Sequence, residues 1–440
     1  MRIKPARRLR GRCHLPGDKS ISHRAALIAA LANGTSHISN FSTSQDCAAT
    51  LSCLTALGVS IERQGNRIRV EGKGMRPFRA PASPLNCGNS GTTMRLLAGI
   101  LAAQDFATIL TGDDSLNRRP MKRIIEPLER MGARILSLDG HPPLQITGSK
   151  TLKPIRYELP VSSAQVKSCM LLAGLQAKGR TEIIERNGVT RDHTERMLQW
   201  FNAPIEFGSD SNKPEARSSA VIGPASLTAR DVRVPGDFSA AAFFIAAAAL
   251  LENSEIEIEG AGLNPTRTQF LDTLRALGTE IDISSEREES NEPVGVIRVN
   301  GSNLRENAEK DLSLTISGQL STALIDELPL LAVVGSQLPS GLMIRDAREL
   351  RFKETDRIAA TAKNLKAMGA AVEEFDDGLR VVGAAHLKGA TLETFGDHRI
   401  AMAFSVAALL AEGESEITGS ECVSVSFPNF FEALESLVER

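Results

Sequence analysis

The sequence predicts a mixed α/β fold with two domains, each made of three repeated βαβαββ units whose apolar helices are buried in parallel. Its 440 residues are too many for one ordinary hydrophobic core, so two domains are expected. Similar helix openings recur at residues 16, 89, 162, 235, 317 and 396, at intervals of 73 to 82 residues. Six units therefore divide into two sets of three, with the middle boundary near residues 232–238.

The first helix of each unit follows a turn of small residues. Pro16, Gly17 and Asp18 supply such a turn and an N-cap, and the apolar run AALIAALA follows from Ala25. Most of these helices stop at Gly or Asn, and a short strand-like segment such as TEIIE or SEITG comes next. Because the helices are apolar on nearly every side, we expect them to be buried.

The second helix of each unit has a polar face and ends at a glycine before alternating strand segments. Two examples are DCAATLSCLTALGVSIE and KETDRIAATAKNLKAMGAAVEE, whereas the third copy, RDHTERMLQWFNAPIEF, has Asn-Ala-Pro in place of the glycine. We expect these helices on the outside of each domain. The segment LIDELPLLAV, which contains Asp326, is expected to be an apolar helix.

Composition and charge exclude several functional classes. The formal net charge is −2 and aromatic residues are 4 %, which gives no basis for general attraction to nucleic acids or membranes. The six cysteines form no CxxC pair, so we expect reduced thiols in a cytoplasmic protein. His23, His193 and His398 lack metal-ligand spacing and are expected to be hydrogen-bonding supports. No metal or organic cofactor is implied.

Cations stand where the helix dipole disfavours them. Lys19 and Arg24 lie in the first turns of the first helix, at its positive end, so an anion is expected to compensate them. Further cations near the ends of repeated helices are Arg119, Arg191, Lys353, Arg357 and Arg399. Gathered in one cleft, these charges would repel one another, so we expect the two domains to close when polyanionic ligands bind.

Two carboxylates accompany these cations, and the residues alone leave their roles open. Asp326 is either a half-buried structural cap or a base, and Glu354 either pairs with Lys353 or Arg357 or transfers a proton.

Seven motifs in fixed order, GDKSISHR, GNSGTTMRL, RRPM, SSAQVKS, TRDHTE, KETDR and GDHRIAMA, closely resemble the EPSP synthase family. The resemblance covers essentially the whole chain. It implies a two-domain inside-out α/β barrel in which residues 17–233 form the first domain and residues 1–16 plus 234–440 form the second. The implied reaction moves the enolpyruvyl group of phosphoenolpyruvate to the 5-hydroxyl of shikimate 3-phosphate and releases phosphate, on the route to chorismate and aromatic amino acids. We expect a monomer with these two small molecules as its partners.

The resemblance also implies roles for individual residues. Nine would bind shikimate 3-phosphate: Lys19, Ser20, Arg24, Ser163, Ala164, Gln165, Arg191, Asp326 and Lys353. Six would bind phosphoenolpyruvate: Lys19, Gly91, Arg119, Gln165, Arg357 and Arg399. Two positions depart from many members, because Ala164 replaces a serine and Val425 replaces a lysine.

Addition followed by elimination is the mechanism we expect. Asp326 would assist deprotonation of the 5-hydroxyl, and either Glu354 or Lys19 would protonate C3 of phosphoenolpyruvate. Two other functions stay open. A related enolpyruvyl transferase acts on UDP-N-acetylglucosamine, but it carries GAKNAA where this chain has GDKSIS, and a reactive loop cysteine that has no counterpart near Arg119. A non-catalytic protein could bind phosphorylated metabolites or nucleic acid through the same cations.

Overall fold

The computed structural model describes residues 1–76, 78–186, 188–210, 213–301, 304 and 314–440. The chain forms two compact units. One, the 17–234 unit, comprises Gly17–Val234 and Glu288–Glu292; the other, the 235–440 unit, comprises Met1–Pro16, Pro235–Arg287 and Pro293–Arg440. The domain boundaries expected from the sequence, 17–233 and 1–16 plus 234–440, stay a prediction.

The helices of the 17–234 unit are α1 (Lys19–Leu31), α2 (Gln45–Ala56), α3 (Gly91–Leu101), α4 (Asp114–Asn117), α5 (Lys122–Arg130), α6 (Ala164–Gly174) and α7 (His193–Trp200). Those of the 235–440 unit are α8 (Phe238–Leu250), α9 (Gln269–Ala276), α10 (Gly318–Ala323), α11 (Leu328–Gln337), α12 (Arg357–Ala367), α13 (His398–Leu409) and α14 (Phe430–Glu435), with 3₁₀ turns at Arg348–Phe352 and Ser420–Val425.

The strands before residue 235 are β1 (Arg2–Ile3), β2 (Arg8–His14), β3 (Ala32–Ser39), β4 (Ser60–Gln64), β5 (Arg67–Lys73), β6 (Leu85–Asn86), β7 (Ala107–Thr111), β8 (Arg134–Leu138), β9 (His141–Thr147), β10 (Arg156–Glu158), β11 (Gly179–Glu185), β12 (Ile205–Asp210), β13 (Lys213–Gly223), β14 (Leu227–Thr228) and β15 (Val232–Arg233). Those after it are β16 (Glu255–Gly262), β17 (Glu280–Glu289), β18 (Glu292–Asn300), β19 (Leu314–Ile316), β20 (Leu342–Ile344), β21 (Val372–Phe375), β22 (Gly378–Val381), β23 (Thr391–Glu393), β24 (Ser415–Thr418) and β25 (Val438–Glu439).

Each sheet of the 17–234 unit combines parallel pairing with an antiparallel hairpin. The strand orders are β14-β3-β5-β4, with β15 also on β3, then β6-β7-β9-β8 and β10-β11-β13-β12. The parallel pairs β6–β7 and β10–β11 flank α3 and α6 in the chain, as expected where a helix connects two parallel strands. This is the βαβαββ order that the sequence predicts.

Two of the three sheets of the 235–440 unit include a strand from the N-terminus. Their orders are β17-β18-β16-β2-β25, β19-β20-β22-β21 and β1-β24-β23. Strand β2 pairs in parallel with β16 across α8, and β1 pairs with β24. Among the described residues each of these sheets is open.

The apolar helices are buried, which confirms the expectation from their composition. In α1, α3 and α6 almost every residue after the first turn is inaccessible to solvent, and α8 is buried from Phe238 to Ala249. The amphipathic helices end at a residue with positive φ, which favours glycine or asparagine. These residues are Gly58, Gly132, Asn202, Gly278 and Gly369. In the part of the chain that the structure describes, no helix has both the length and the apolar character needed to cross a bilayer.

The predicted helix around Asp326 is wrong in one respect. Asp326 lies in a turn between α10 and α11, and α11 begins only at Leu328. The reason is Pro329, which has no N–H to continue a helix through Ile325 but fits the first turn of a new one.

Candidate active site

The start of α1 carries the first cation of the site. Asp18 caps the helix, because its carboxylate accepts a hydrogen bond of 2.8 Å from the Ile21 N–H, and this confirms the predicted N-cap. Lys19 Nζ donates to Asp46 Oδ2 at 2.9 Å, at the start of α2. A protein carboxylate thus supplies part of the negative charge that Lys19 was expected to require from a ligand. The sequence did not single out Asp46.

Arg24 lies one turn further along α1 and is buried. Its Nε donates to Thr194 Oγ1 at 2.6 Å, its Nη2 to Ser168 Oγ at 2.9 Å, and its Nη1 to the Ser20 carbonyl at 2.9 Å. A guanidinium has five N–H donors in a fixed plane, so these contacts fix the orientation of Arg24. Arg24 therefore ties α1 to α6 and α7.

Gly91 begins α3 beside two guanidinium groups. A Cβ at this position would lie 2.6 Å from Arg95 Nη1 and 3.4 Å from Arg119 Nη1. Arg119 is buried, and its Nη2 donates to Asn89 Oδ1 at 2.6 Å and to Ser115 Oγ at 3.2 Å. The structure therefore brings Arg119 to Gly91, where the missing side chain leaves room for the arginines.

The start of α6 is joined to the start of α3. Ser163 caps α6, Ala164 is its first residue, and Gln165 follows. Gln165 Oε1 accepts from Arg95 Nη1 at 2.6 Å, and Gln165 Nε2 donates to Thr92 Oγ1 at 2.9 Å. Arg95 stands in the GNSGTTMRL motif, but sequence reasoning did not name it as a site residue.

A buried polar chain runs behind these helix starts. His23 Nδ1 and Thr50 Oγ1 are 2.6 Å apart, Thr50 Oγ1 and Thr93 Oγ1 are also 2.6 Å apart, and Thr93 Oγ1 donates to Ser90 Oγ at 2.8 Å. Burial, together with the charges of Lys19 and Arg24, holds the pKa of His23 well below its usual value of 6.5. A neutral imidazole therefore links α1, α2 and α3.

The loop that carries Arg191 is anchored by a buried lysine. Lys167 Nζ donates to Glu185 Oε2 at 2.8 Å and lies 2.7 Å from Glu195 Oε1. Glu185 Oε1 also accepts from the Thr190 N–H at 3.0 Å. Arg191 itself is half-buried between these anchors. Lys167 stands in the SSAQVKS motif and Glu195 in TRDHTE, but sequence reasoning did not name either as a site residue or pair them with each other.

Two of the three histidines expected to be supports form hydrogen bonds of that kind. Besides His23, His193 Nδ1 lies 2.7 Å from Glu292 Oε1, and both residues are buried. These contacts confirm the prediction for His23 and His193.

In the 235–440 unit, three cations converge on Asp326. Its Oδ1 lies 3.9 Å from Lys353 Nζ and 3.5 Å from Arg357 Nη1, and its Oδ2 lies 3.6 Å from Arg399 Nη2. Lys353 Nζ also donates to Glu349 Oε1 at 3.3 Å. Residues from three separate segments of the sequence thus meet at one carboxylate.

Arg357 is fully buried and paired with two further carboxylates. Its Nε donates to Asp397 Oδ2 at 2.8 Å, and its Nη2 donates to Glu354 Oε2 at 2.6 Å. Burial alone would lower the pKa of Arg357, but Asp397 and Glu354 outweigh it and raise that pKa. Of the two cations that Glu354 was expected to pair with, Arg357 is in contact with it.

Arg399 belongs to the first turn of α13 and has a weaker set of partners. Its Nη1 donates to the Asp326 carbonyl at 2.8 Å and lies 3.6 Å from Glu327 Oε1. Burial lowers the pKa of Arg399, and the nearby positive charge of Arg357 acts in the same direction, although Glu327 opposes both. An anionic ligand would favour the charged form of this guanidinium.

The expected residues are divided between the two units and form two sets, called clusters below, each described within its own unit. Within the 17–234 unit lie Lys19, Ser20, Arg24, Gly91, Arg119, Ser163, Ala164, Gln165 and Arg191; within the 235–440 unit lie Asp326, Lys353, Glu354, Arg357 and Arg399. The lysine and arginine side chains in both sets are donors that suit phosphate and carboxylate ligands. Among the residues described, no group of three or more His, Cys, Asp or Glu side chains is arranged to hold a metal ion.

Comparison with known proteins gives a consistent result over the full length. The family model for EPSP synthase (3-phosphoshikimate 1-carboxyvinyltransferase) matches residues 3–434. A 3-phosphoshikimate 1-carboxyvinyltransferase of Koribacter versatilis is 50 % identical, over 100 % of this chain and 99 % of the relative. Another from Geotalea uraniireducens is 47 % identical, over 99 % of this chain and 98 % of the relative.

The similarity extends to solved structures. An EPSP synthase from Acinetobacter baumannii matches with a TM-score of 0.84 at 39 % sequence identity, over 99 % of this chain and 98 % of that chain. The chain therefore belongs to the EPSP synthase family of 3-phosphoshikimate 1-carboxyvinyltransferases.

Proposed function

We propose that this enzyme transfers the carboxyvinyl group of phosphoenolpyruvate to the 5-hydroxyl of shikimate 3-phosphate, with release of inorganic phosphate. The observation that carries the proposal is the convergence of Lys353, Arg357 and Arg399 on Asp326 at 3.5 to 3.9 Å. Guanidinium and ammonium groups are donors suited to phosphate and carboxylate ligands, and Asp326 lies beside them as a base.

Shikimate 3-phosphate would be bound by residues of both clusters. In the 17–234 unit these are Lys19, Ser20, Arg24, Ser163, the Ala164 backbone, Gln165 and Arg191; in the 235–440 unit they are Asp326 and Lys353. The proposal is supported by the positions of Ser163 and Ala164 at the start of α6, where backbone N–H groups favour an anion. Arg24, held by Thr194 and Ser168, would add a pre-oriented positive charge.

Phosphoenolpyruvate would be bound by Lys19, Gly91, Arg119, Gln165, Arg357 and Arg399. Gly91 supports this assignment, because the absence of a Cβ beside Arg119 permits a close backbone approach. The buried position of Arg357 also supports it, since a guanidinium fixed by Asp397 loses little conformational entropy when it binds a second anion.

The reaction would proceed by addition and elimination. Asp326 accepts the proton of the 5-hydroxyl, the hydroxyl oxygen attacks C2 of phosphoenolpyruvate, and Glu354 or Lys19 delivers a proton to C3. The C2–O bond to phosphate then breaks as a proton leaves C3, which restores the double bond. Arg119, Arg357 and Arg399 would stabilise the negative charge that develops on the departing phosphate.

A coupled assay for released phosphate tests the proposal. The purified enzyme would be given phosphoenolpyruvate with shikimate 3-phosphate or, in a parallel reaction, with UDP-N-acetylglucosamine. Phosphate release with shikimate 3-phosphate alone is the expected result. Release with the nucleotide sugar instead would assign the related transferase activity, and tight anion binding without release would indicate a non-catalytic binding protein.

The finer expectations also belong to this proposal: a monomer, located in the cytoplasm, with no nucleic-acid or membrane partner. All six cysteines are free thiols, which suits a reducing compartment. Sedimentation velocity at the assay concentration tests the monomer, and a dimer of twice the 47.3 kDa chain mass would contradict it. Closure of the domains on the ligands stays a prediction.

A further inference from the structure

A single hydroxyl group organises the surroundings of Arg399. Ser239 Oγ, in the first turn of α8, donates to Glu327 Oε1 at 2.7 Å and accepts from Arg399 Nη2 at 3.2 Å. It also accepts a hydrogen bond from Arg267 Nη2. A serine hydroxyl has one hydrogen and two lone pairs, so these three contacts saturate it. The four residues come from the three repeats of the 235–440 unit and meet at one oxygen atom.

Glu327 is shared between two arginines. Its Oε1 lies 3.4 Å from Arg267 Nη2 and 3.6 Å from Arg399 Nη1. Glu327 is 3 % exposed and Arg267 is 6 % exposed, so neither charge is compensated by bulk water. A buried carboxylate requires a cation nearby, and here two cations could meet that requirement.

The two arginines differ in what else surrounds them. Arg399 is also in contact with Asp326, the proposed base, and its side chain is 12 % exposed. Arg267 contacts Ser239 and Glu327 on the side of this cluster that is more deeply buried. The positive charge of Arg267 is therefore placed to neutralise Glu327, whereas Arg399 is placed to contact a ligand as well.

We propose that Arg267 and Ser239 are positioning residues for Arg399. Arg267 neutralises Glu327, so that Glu327 does not bind Arg399 tightly, and Ser239 fixes the orientation of the Arg399 guanidinium toward phosphoenolpyruvate. This inference rests on the proposed function, and specifically on the assignment of Arg399 to phosphoenolpyruvate. Neither Arg267 nor Ser239 is assigned a role by the motifs or by the family comparison.

The charge argument leads to a specific kinetic result. In Arg267→Met, Glu327 loses one of its two arginine contacts and should bind Arg399 more tightly. Arg399 is then less able to bind phosphoenolpyruvate, so the KM for phosphoenolpyruvate should rise about tenfold. The KM for shikimate 3-phosphate should stay within about threefold of wild type, because Arg399 is not assigned to that substrate. Arg267→Lys keeps the charge and should restore most of the affinity for phosphoenolpyruvate.

A second substitution separates positioning from general support of the fold. In Arg267→Met/Glu327→Gln the carboxylate that competes for Arg399 is also neutral, so the KM for phosphoenolpyruvate should return to within about threefold of wild type. Ser239→Ala keeps the charges of Arg267, Glu327 and Arg399 and should raise the KM for phosphoenolpyruvate about fivefold. This variant tests the proposal even if Arg267→Met fails to fold. Arg275→Met on α9, whose partner Asp272 is exposed, is the matched control.

The measurement is steady-state kinetics with each substrate varied in turn, together with the thermal midpoint of each variant. An unchanged KM for phosphoenolpyruvate in folded Arg267→Met and Ser239→Ala overturns the proposal. An equal rise in both KM values, or a double variant no better than Arg267→Met, overturns it as well. Failure of the wild-type enzyme to release phosphate would instead contradict the proposed function itself, so the two failures are distinguishable.

Discussion

Glu354 is the carboxylate whose proposed role in proton transfer can be tested most directly from its contacts. It is hydrogen-bonded to Arg357 at 2.6 Å, while Arg357 is held independently by Asp397. Arg357 can therefore keep its position when Glu354 loses its charge. This separation makes Glu354 a suitable residue for distinguishing proton transfer from substrate binding.

We expect Glu354→Gln to lower kcat by about 10²-fold or more, because an amide cannot exchange a proton with C3 of phosphoenolpyruvate. The KM values for both substrates should stay within about threefold of wild type, since the binding cations remain in place. Steady-state kinetics would measure both effects, with the exposed Glu373→Gln as the control. Near-normal turnover in Glu354→Gln would remove Glu354 from the mechanism.

His23 links the stability of the protein to pH. Burial and the charges of Lys19 and Arg24 lower the pKa of His23 in the folded protein. Below about pH 6.5 the imidazole is therefore protonated in the unfolded chain but stays neutral in the folded protein. Stability is therefore lost as the pH falls below the unfolded value.

The contribution of His23 has a maximum slope of about 1.4 kcal/mol per pH unit. In His23→Gln, the free energy of unfolding should fall less steeply between pH 7 and pH 5 than in wild type, by up to about 1.4 kcal/mol per pH unit. Urea denaturation at several pH values measures it, with the exposed His386→Gln as the control. Equal slopes in wild type and His23→Gln would rule out this contribution.

The contacts between α6, α7 and β11 depend on one buried ion cluster. Lys167, 1 % exposed, joins Glu185 at the end of β11 to Glu195 in α7, and so holds both ends of the loop that contains Arg191. Although burial opposes it, the two glutamates raise the pKa of Lys167, so the lysine is charged. The cluster is the structural reason that the TRDHTE motif has a defined position.

Lys167→Met should lower the free energy of unfolding by about 3 to 5 kcal/mol, because it leaves two buried carboxylates without their cation. Lys178→Met, at an exposed position on the segment that follows α6, is the matched control and should stay within about 0.5 kcal/mol of wild type. Chemical denaturation at pH 7 measures both. Similar losses in the two variants would show that the buried cluster contributes nothing specific.

The two ends of the chain are built into the 235–440 unit. Strand β2 lies between β16 and β25, so its neighbours come from the middle and from the end of the sequence. Leu9 in β2 is completely buried, and its N–H donates to Ser254 Oγ at 2.9 Å. The folding of this unit therefore requires contacts across almost the whole chain.

Leu9→Ala should lower the free energy of unfolding by about 2 to 5 kcal/mol, through lost burial and the cavity that remains. Leu138→Ala in β8, where the leucine is 72 % exposed, should change it by less than about 0.5 kcal/mol. Denaturation curves for the two variants compare them directly. A small effect of Leu9→Ala would contradict the central position assigned to β2.

Much of the fold could be predicted because periodicity acts locally. The apolar helices, the amphipathic helices and their stops at Gly or Asn were all expected from short segments, and the structure contains them. The helix through Asp326 was not expected to break, since the local hydrophobic pattern is continuous there and Pro329 determines the interruption. The family resemblance named the principal site residues but not their protein partners.

By itself, the sequence determined the repeated units, the buried helices, the family and the residues with the chemistry of anion binding. These follow from the order of residue types along the chain, because short-range hydrogen bonding and burial depend on that order. Only the tertiary structure decided which carboxylate faces which cation: Asp46 with Lys19, Asp397 with Arg357, and Glu327 between Arg267 and Arg399. Such pairings depend on contacts between distant segments, because the energy of an ion pair depends on distance and burial rather than on position in the sequence.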